Sequence, residues 1–394
     1  MNILVLTPWF PDHPYDQQGN FILDSIESIC ALGHRVNVLV TRPFVLNLKY
    51  AMKWRGGSSI QPEMYERGFS LSCVYYVSIP RFYLRFISNY LYIVACKKAV
   101  RRIIDESKID IILAHTELSG YLACAIAGHV AIPVTTVVHG IETSWRYQHG
   151  SGQHAFLHSA FSKPDRLVLV GHPLFDFVRS YADSFDHVRV VYNGFSEKGA
   201  TPFKNRQIFE RQDCVQMVSV SNLLKGKGID VNLAALGHPE VIALPNWHYH
   251  IVGGGLLRSS LEAQARELNI TERVTFHGQC DHDVVFQLLS QYDIFCLPSS
   301  PEAFGVAYLE AMACGLLTIG VQGQGPSCFI EDEKTGILIH ERNVEELALQ
   351  LAKIFTNPHH YVEIAAAGRD YVWNNCTWQS HAKSLTDVFW ELVR

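Results

Sequence analysis

The sequence predicts an α/β protein made of two doubly wound domains, each with a parallel β-sheet. Three observations carry this prediction. The 394 residues exceed what a single hydrophobic core usually organises. Short apolar strands alternate with helices, which is typical of parallel sheets covered on both faces. The alternation lapses between 193 and 212 and then begins again, so that segment is the best linker candidate.

The first series of elements starts at the N-terminus. Ile3–Thr7 is predicted to be a core strand rather than a signal peptide, because no basic segment or long apolar segment accompanies it. The helix that follows places Phe21, Ile22 and Ile26 on one face and ends at Gly33. The other predicted strands of this half are Arg35–Val40, Ile109–Leu113, Val134–Val138, Arg166–Val170 and Val188–Val191.

The second series follows the linker. Its predicted strands are Val215–Val220, His248–Val252, Arg273–Phe276, Ile294–Leu297, Leu317–Ile319 and Gly336–Ile339. Helices are predicted between them at Leu256–Leu268, Val284–Gln291 and Tyr308–Cys314, and two helical segments close the chain near Val344–Phe355 and Ser380–Val393. Sheets of this kind bind ligands at the carboxyl ends of their strands, so we expect the functional residues there.

Several classes of protein fit poorly. The ten cysteines are scattered without a C-x-x-C pair, which favours buried reduced thiols and a cytosolic location. His154 and His158 form only a weak i, i+4 pair, so we interpret them as surface residues and expect no metal site. The apolar stretch from Leu118 to Ile141 is broken by Gly120 and Pro133. It predicts a short buried helix followed by a strand rather than a membrane span.

The residues from 42 to 102 are strongly basic. They contain eleven Lys and Arg residues against two acids, interleaved with aromatic residues, although the whole chain has a net charge of −5. Such a surface suits an anionic partner such as a membrane face or a lipid diphosphate. Alternatively, the charges only solvate the neighbours of a buried strand, and charge counts alone do not decide between the two. Arg81 and Arg85 are the candidate membrane or acceptor contacts.

The most informative segment runs from 298 to 315. A strand ends at Leu297, a loop with Glu302 and a glycine follows, and a helix opens near Val306. Exposed amides at a helix N-terminus favour an anion or a polarised oxygen. Two carboxylates near a sugar are also typical of glycoside hydrolases. By spacing alone, Glu302 and Glu310 would be an ordinary loop residue and an ordinary helix residue.

The segment resembles the signature of the family 4 retaining glycosyltransferases, which have the GT-B fold. The match is S-x-x-E-x-F-G-x-x-x-L-E-A-M-A-x-G, with Glu302 and Glu310 as its two acids. Three further segments occur in the family's order, namely Val252–Leu256, Arg273–Gly278 and Thr335–Ile339. The resemblance covers most of the second half of the chain, and the ordered set is far more specific than any one segment.

The resemblance implies roles for the second half. Glu310 would bind the ribose hydroxyls of a nucleotide and Glu302 the hydroxyls of the donor sugar. The backbone amides of Phe304 and Gly305 would face the sugar or the diphosphate, and Gly253 belongs to the same donor site. No cofactor or metal is expected, because lysine and helix dipoles can neutralise the diphosphate.

The basic half of the implied donor site is altered. The family pattern G-R-L-x-x-x-K-G is matched by residues 221–228, where Lys227 occupies the lysine position and Asn222 replaces the arginine. Asparagine still donates a hydrogen bond but brings no charge to the diphosphate. Lys225 or a basic residue of the other domain is a candidate to compensate. A second departure is Ser327-Cys328, where relatives commonly have an acid.

The first half carries two weaker signals. Gly19 stands where the family has a glycine-rich loop after the first strand, and the helix behind it offers its positive end to an anion. His139 follows another predicted strand, and the resemblance implies that it lies beside the donor sugar and the reacting centre. A single glycine and a single histidine at strand ends are otherwise more often structural.

We therefore expect an N-terminal acceptor-binding domain at 1–196, with the C-terminal helix 377–394 packing back on it, and a donor-binding domain at 197–376. In the GT-B fold the two face each other across a cleft. The implied function is sugar transfer from a UDP- or GDP-sugar, with retention, to a glycan or polyprenyl-diphosphate-linked acceptor. The implied setting is bacterial polysaccharide biosynthesis, in the cytoplasm or on the inner face of the cell membrane. No nucleic-acid partner is expected.

Three alternatives remain at this point. A Rossmann dehydrogenase would explain Gly253–Gly255, but Arg258 stands where its last glycine belongs. A phosphorylase-like enzyme would share the fold, but no lysine lies in a convincing pyridoxal-binding context. A catalytically silent binding or scaffold protein is supported only by Asn222.

Overall fold

The computed structural model describes residues 1–11, 19–45, 68–78, 85–127, 131–140, 151–201, 208–210 and 214–393. The chain divides into two compact units. Unit 1 consists of Met1–Tyr192 and Trp378–Arg394, and unit 2 consists of Asn193–Thr377. The acceptor-binding and donor-binding roles expected of the two domains stay predictions.

Unit 1 contains a seven-stranded parallel sheet in its described residues. Its strands are β1 (Asn2–Thr7), β2 (Arg35–Val45), β3 (Phe69–Ser78), β4 (Ile111–His115), β5 (Val134–Val138), β6 (Arg166–Leu169) and β7 (Val188–Val190). They lie in the order β3-β2-β1-β4-β5-β6-β7. The order changes direction between β1 and β4, which pair from Ile3 against Ile111. Ligands of doubly wound sheets bind beside such a point, at the carboxyl ends of the strands.

Unit 2 repeats the same architecture with a second parallel sheet. Its described strands are β8 (Val215–Val220), β9 (Trp247–Val252), β10 (Val274–Gly278), β11 (Ile294–Cys296), β12 (Leu317–Val321) and β13 (Ile337–Ile339). The order is β10-β9-β8-β11-β12-β13, with the change of direction between β8 and β11. The carboxyl ends of β8 and β11 are therefore the expected ligand edge of this unit.

Helices connect the strands in both units. Those described are α1 (Asn20–Ala31), α2 (Arg85–Ser107), α3 (Glu117–Ala127), α4 (Ser151–Ser162), α5 (Leu174–Arg179), α6 (Glu197–Ala200), α7 (Ile229–Leu236), α8 (Pro239–Ile242), α9 (Arg258–Glu267), α10 (His282–Leu289), α11 (Val306–Ala313), α12 (Val344–Thr356), α13 (Val362–Asn375) and α14 (Trp378–Val393). Among the described residues, no helix combines the length and the apolar character that crossing a bilayer requires.

The central strands are buried on both faces. Every residue of β4, β5 and β12 is buried, and so are the last five of β1. Helix α1 buries Ile22, Ile26 and Ile29, which lie on one face at the spacing of a helix. In a parallel sheet covered on both faces, the strands are apolar along their whole length and each covering helix is apolar on the face that packs against the sheet.

Helix α14 is fastened to the rest of unit 1 by polar contacts as well as by packing. The imidazole of His381 is within 2.9 Å of the Ser25 hydroxyl on α1 and within 2.7 Å of the Tyr192 carbonyl oxygen. Near its end, Glu391 forms ion pairs with Arg166 and Arg189 at 2.9 and 2.8 Å. The last segment of the chain is therefore an integral part of the N-terminal unit.

The predicted class, two doubly wound α/β domains, is confirmed. The stretch from Leu118 forms a short buried helix and a strand, α3 and β5, as interpreted from its glycines and proline. The two helical segments predicted to close the chain are present as α12 and α14, but the helix between them, α13, was not predicted. Gly368 stands inside α13 and reads as a helix stop, but a Cβ there would lie 2.2 Å from the Thr335 carbonyl oxygen. The glycine serves close packing instead.

Candidate functional site

Glu302 lies in the loop after β11 and forms an ion pair with Lys227. The Lys227 Nζ and Glu302 Oε2 atoms are 2.9 Å apart, and the two side chains are 21% and 14% exposed. The Ser299 hydroxyl donates to the same carboxylate oxygen at 3.0 Å. A partly buried pair is screened less by salt than a surface pair. The structure thus brings together two of the predicted catalytic residues.

The backbone of Glu302 is held from the other side by the segment after β12. Its N–H donates to the Gln324 side-chain oxygen at 2.8 Å, and its carbonyl oxygen accepts from the Gly325 N–H at 2.8 Å. A Cβ at Gly325 would lie 2.3 Å from the Phe304 carbonyl oxygen, so only glycine fits there. Gln324 and Gly325 therefore fix the loop that carries the carboxylate.

Lys227 is positioned by two glycines that pack against the same loop. The Ser300 N–H donates to the Gly226 carbonyl oxygen at 2.7 Å. Gly228 directly precedes α7 with φ +74°, and a Cβ there would lie 2.2 Å from the Pro298 carbonyl oxygen. The backbone around Lys227 can approach the Glu302 loop this closely only because both neighbours are glycine.

A buried polar network lies beneath these loops. The Asn232 side-chain nitrogen, on α7, lies 3.1, 2.9 and 3.0 Å from the Ser219 hydroxyl, the Tyr249 hydroxyl and the Cys296 carbonyl oxygen, and its two N–H groups are shared among these three acceptors. The Cys296 thiol donates back to the Asn232 side-chain oxygen at 3.1 Å. Burial raises the pKa of the Tyr249 hydroxyl and of the Cys296 thiol, so both stay protonated donors. The network ties α7, and hence Lys227, to β8, β9 and β11.

Helix α11 begins directly after this loop. Gly305, with φ +90°, precedes its first residue. The Phe304 side chain is buried and packs edge-on against Phe329 at 5.2 Å, so the core holds its ring while its backbone stays in the loop. The Tyr308 hydroxyl donates to the Leu297 carbonyl oxygen. Burial, and secondly the charge of Glu302, raises the pKa of Tyr308 well above its usual value.

Glu310 lies in the second turn of α11. Glu310 is only 6% exposed, although its side chain ends in a carboxylate. Carboxylates are seldom this deeply buried in proteins, so a largely buried glutamate on a helix at the ligand edge of the sheet is a candidate binding residue. Glu302 lies in a loop and Glu310 lies in a helix, as the sequence predicted.

Asn222 and Gly253 lie at the carboxyl ends of β8 and β9. Asn222 is exposed, and its side chain makes no hydrogen bond within the described residues. A Cβ at Gly253 would lie 1.9 Å from the Ser221 carbonyl oxygen, and the Leu223 N–H donates to the Gly254 carbonyl oxygen at 2.9 Å. The close approach that Gly253 permits is thus to the chain's own backbone, which shapes the loop that carries Asn222.

His139 follows β5 in unit 1 and is half-buried. Its Nε2 atom lies 2.8 Å from Nδ1 of His115, the last residue of β4. The rings of Trp9 and Phe21 flank it with centroids at 6.0 and 5.0 Å. Burial, and secondly His381, lowers the pKa of His139 to about 3, so the imidazole is neutral at physiological pH.

Gly19 precedes α1 with φ +87°. A Cβ there would lie 2.8 Å from both the Phe10 nitrogen and the Trp9 carbonyl carbon. The glycine therefore lets α1 start against the loop after β1, and this brings Phe21 beside His139. Like Gly253, Gly19 shapes a loop by close packing on its own chain.

The predicted site residues fall into three groups. Unit 2 contains the paired Lys227 and Glu302, Glu310 on α11, and Asn222, Gly253, Phe304 and Gly305. Unit 1 holds Gly19 and His139. Arg81 lies outside the described residues, and Arg85 is the first residue of α2.

Three contributors to the site were not predicted: Ser299, Gln324 and His115. Ser299 had a signal, because it is the serine of the motif S-x-x-E. His115 had one too, since a histidine that ends a buried strand beside the strand of His139 lies at the same sheet edge. Gln324 had none, because the fold alone brings it to a residue 22 positions earlier.

Two family models match the chain in succession. The model described as "Glycosyltransferase Family 4" matches residues 18–198, and the model described as "Glycosyl transferases group 1" matches residues 201–371. Together they cover well over half of the chain. This chain belongs to glycosyltransferase family 4.

Two curated relatives of this family 4 protein are named for different activities. Glycogen synthase of Mycobacterium tuberculosis is 26% identical over 289 residues, which cover 71% of this chain and 68% of the relative. A GDP-mannose-dependent monoacylated alpha-(1-6)-phosphatidylinositol monomannoside mannosyltransferase of Corynebacterium glutamicum is 27% identical over 274 residues, covering 66% of this chain and 70% of the relative.

Solved structures similar to the family 4 protein share its fold along nearly the whole chain. Sucrose-phosphate synthase from Thermosynechococcus elongatus matches with a TM-score of 0.77 at 19% identity, covering 100% of this chain and 99% of that chain. HepE from Anabaena, in complex with UDP-glucose, matches with a TM-score of 0.70 at 16% identity, covering 99% and 100%. The GT-B fold that the motifs implied is thereby confirmed.

Proposed function

We propose that this glycosyltransferase moves a sugar from a UDP- or GDP-sugar, with retention of configuration, to a glycan or a polyprenyl-diphosphate-linked saccharide. The observation that carries the proposal is the Lys227–Glu302 pair, 2.9 Å apart at the start of α11. It combines a cation suited to a diphosphate with a carboxylate suited to sugar hydroxyls. A relative that is GDP-mannose-dependent and a structure bound to UDP-glucose support such a donor.

Each part of the donor has a counterpart in unit 2. Glu310, buried in α11, accepts hydrogen bonds from the ribose hydroxyls. Glu302 accepts from the hydroxyls of the sugar. Lys227 and the amides of Phe304 and Gly305 bind the diphosphate, since the start of a helix favours an anion. Asn222 adds a neutral hydrogen bond where a charged one would be stronger.

The reaction proceeds by electrostatic stabilisation rather than through a nucleophile of the protein. As the bond between the anomeric carbon and the diphosphate breaks, negative charge grows on the leaving oxygen, and Lys227 and the helix N-terminus oppose it. The acceptor hydroxyl attacks from the face that the diphosphate leaves and gives its proton to the leaving phosphate oxygen, and attack from that face retains the configuration. The neutral imidazole of His139 in unit 1 serves as a hydrogen-bonding group beside the sugar. Neither a metal nor a cofactor takes part.

The acceptor is proposed to reach unit 1 at a membrane surface, in the cytoplasm. β3 is the edge strand of its sheet and exposes Tyr75, and α2 exposes Tyr90 and Val94 at 65% and 52%. The same helix carries Lys97, Lys98, Arg101 and Arg102. Exposed aromatic and apolar residues next to basic ones suit an anionic lipid surface. A lipid-linked glycan of bacterial polysaccharide biosynthesis would be presented there.

Vesicle sedimentation tests the membrane proposal. Reversing Arg81 and Arg85 to Glu is expected to lower binding to anionic vesicles roughly thirty-fold or more, because each basic residue near the surface contributes about 1 kcal/mol. Reversing the exposed Lys353 and Lys383 to Glu changes the net charge equally and serves as the control. An equal loss of vesicle binding in the two double variants, or no loss in either, would refute a specific membrane-binding surface around Arg81 and Arg85.

A panel of UDP-, GDP- and ADP-sugars tests the function itself. We expect thermal stabilisation and slow donor hydrolysis with one class of nucleotide, and a product sugar with the anomeric configuration of the donor by proton NMR. Inversion of configuration would refute the retaining mechanism. No response to any nucleotide sugar would favour the alternative, a catalytically silent glycosyltransferase-like binding or scaffold protein, whose support is Asn222.

A further inference from the structure

Two donors converge on one oxygen of the Glu302 carboxylate. The Lys227 Nζ atom and the Ser299 hydroxyl oxygen lie 2.9 and 3.0 Å from Oε2. The second carboxylate oxygen, Oε1, accepts no hydrogen bond within the described residues. Oε1 is also not enclosed by the protein, since the side chain is 14% exposed. The Lys227–Glu302 pair therefore leaves one oxygen of the carboxylate open to a ligand.

Ser299 is fixed in the core. The residue has no exposed surface, and its N–H donates to the Leu297 carbonyl oxygen at 2.8 Å. Its hydroxyl has a single hydrogen, and Oε2 of Glu302 is the acceptor that lies within reach of it among the described residues. A buried hydroxyl that loses its partner destabilises the folded protein. The bond from Ser299 to Glu302 is therefore expected to persist when the surroundings of the carboxylate change.

Lys227 reaches the same oxygen from a different loop, and it has more rotational freedom than the serine. Its ammonium lies at the end of a flexible four-carbon chain, whereas the serine hydroxyl turns about a single bond. The Lys227 side chain is partly exposed, and two of its three N–H groups make no hydrogen bond within the described residues. The lysine can thus turn to an anion while the serine stays in place.

This difference between the two donors matters when a diphosphate takes Lys227 away from Glu302. A carboxylate held by the lysine alone would then rotate, and its orientation would be lost as the sugar arrives. Groups that are oriented in advance stabilise a reacting ligand more effectively, because nothing has to reorganise during the reaction. With Oε2 still bonded to Ser299, the oxygen left to accept a hydrogen bond from the ligand is Oε1.

We propose that Ser299 is a positioning residue that holds Oε2 of Glu302, so that Oε1 accepts a hydrogen bond from the donor sugar after Lys227 has turned to the diphosphate. This rests on the proposed function only for the identity of the ligand. Ser299 itself does not meet the sugar, because it is fully enclosed. It acts through the carboxylate, which stands three residues later in the motif S-x-x-E.

Crystal structures of the unliganded protein test the positioning directly. Lys227→Met removes the more flexible donor and keeps most of the length of the side chain. The Glu302 carboxylate is expected to remain within about 3 Å of the Ser299 hydroxyl oxygen in this variant. Adding Ser299→Ala should release the carboxylate, which should then take a new orientation or several. A carboxylate that leaves Ser299 in Lys227→Met, or that keeps its place when Ser299 is also replaced, overturns the proposal.

Kinetics with the nucleotide sugar that the panel identifies give a second readout. Ser299→Ala is expected to lower kcat about ten-fold or more, the size of one hydrogen bond to a charged group, and to leave the affinity for the nucleoside diphosphate unchanged. In a Glu302→Ala background, where no carboxylate is left to position, Ser299→Ala should lower the residual turnover no further. Thr318→Val removes another buried hydroxyl of unit 2, one that donates to the Leu316 carbonyl oxygen, and should leave kcat unchanged.

Three kinetic results would overturn the proposal: no loss in Ser299→Ala, an equal loss with and without the Glu302 carboxylate, or a loss that Thr318→Val shares. If no nucleotide sugar binds at all, the proposed function fails, while the crystal structures still decide whether Ser299 positions Glu302.

Discussion

At the scale of single residues, the Lys227–Glu302 pair holds two groups in contact that are proposed to bind different parts of the donor. Each is more than three quarters buried as a side chain, so each stabilises the other's charge in the free protein. A diphosphate that binds Lys227 must compete with Glu302 for it. Donor binding is therefore expected to release the Glu302 carboxylate for the sugar hydroxyls.

Asn222 offers a gain-of-affinity experiment. Its side chain is exposed and makes no hydrogen bond within the described residues, so replacing it disturbs little. Asn222→Arg is expected to tighten nucleoside diphosphate binding about ten-fold, because a charge-assisted bond replaces a neutral one. Calorimetric titration measures this, with Asn222→Gln as the neutral control. Equal affinities in the two variants would place Asn222 away from the diphosphate.

The residues of the site were predictable only where they belong to a local motif. Glu302, Glu310 and Lys227 each stand in a recognisable segment. The ion pair was not predictable, because 75 residues separate its members and only the packing of two loops joins them. His115 was missed for a related reason. In the sequence, His115 is a single histidine, and only the pairing of β4 with β5 brings it into contact with His139.

At the scale of elements, the start of α7 is held against the loop after β11 by glycine. Gly228 and Gly323 both have φ +74°, but a Cβ at Gly228 would lie 2.2 Å from a carbonyl oxygen, whereas nothing lies within 4 Å of one at Gly323. Gly323→Ala should cost about 1 to 2 kcal/mol for the left-handed backbone alone. Gly228→Ala should cost roughly 1 to 3 kcal/mol more, because it also forces the loops apart.

Urea unfolding of the two variants measures this difference. Gly228→Ala should also weaken nucleoside diphosphate binding, because Lys227 precedes the displaced residue. Gly323→Ala should bind as the wild type does. Similar free energies of unfolding in the two variants would show that the contact with Pro298 does not constrain α7.

Elements with a strong local pattern were predictable, and those shaped by distant packing were not. The apolar run of β1 and the single apolar face of α1 are local properties. Helix α13 buries only Ala365, Gly368 and Val372, so it lacks the wide apolar face that identifies a helix. The need for a glycine at Gly368 is apparent only in the folded chain, where Thr335 packs against it.

At the scale of the whole molecule, buried neutral histidines make stability depend on pH. Burial lowers the pKa of His381 to about 4, and of His139 and His250 to about 3, from a usual value of 6.5. The unfolded chain therefore takes up protons first as the pH falls. The stabilisation is complete above about pH 6.5 and is lost progressively towards pH 4, by up to about 1.4 kcal/mol per pH unit for each group.

Thermal unfolding between pH 7.5 and 4.5 tests this dependence, with the transitions of the two units followed separately. The midpoints should fall as the pH is lowered. His250→Gln should reduce the pH dependence of unit 2. A midpoint that is constant or rises towards acid pH would contradict neutral histidines in the folded protein.

The central claim, that unit 2 binds a nucleotide sugar through Glu310 and Glu302 in separate roles, is tested most directly by titrating Glu310→Gln and Glu302→Gln with a nucleoside diphosphate and with its nucleotide sugar. Glu310→Gln should weaken both ligands roughly ten- to hundred-fold, because both contain the ribose. Glu302→Gln should bind the diphosphate as well as or better than the wild type, since Lys227 is freed, yet lose donor turnover. The exposed Glu331→Gln serves as the control and should change neither affinity. Wild-type affinity in Glu310→Gln, or equal loss of the diphosphate in both variants, would contradict the account.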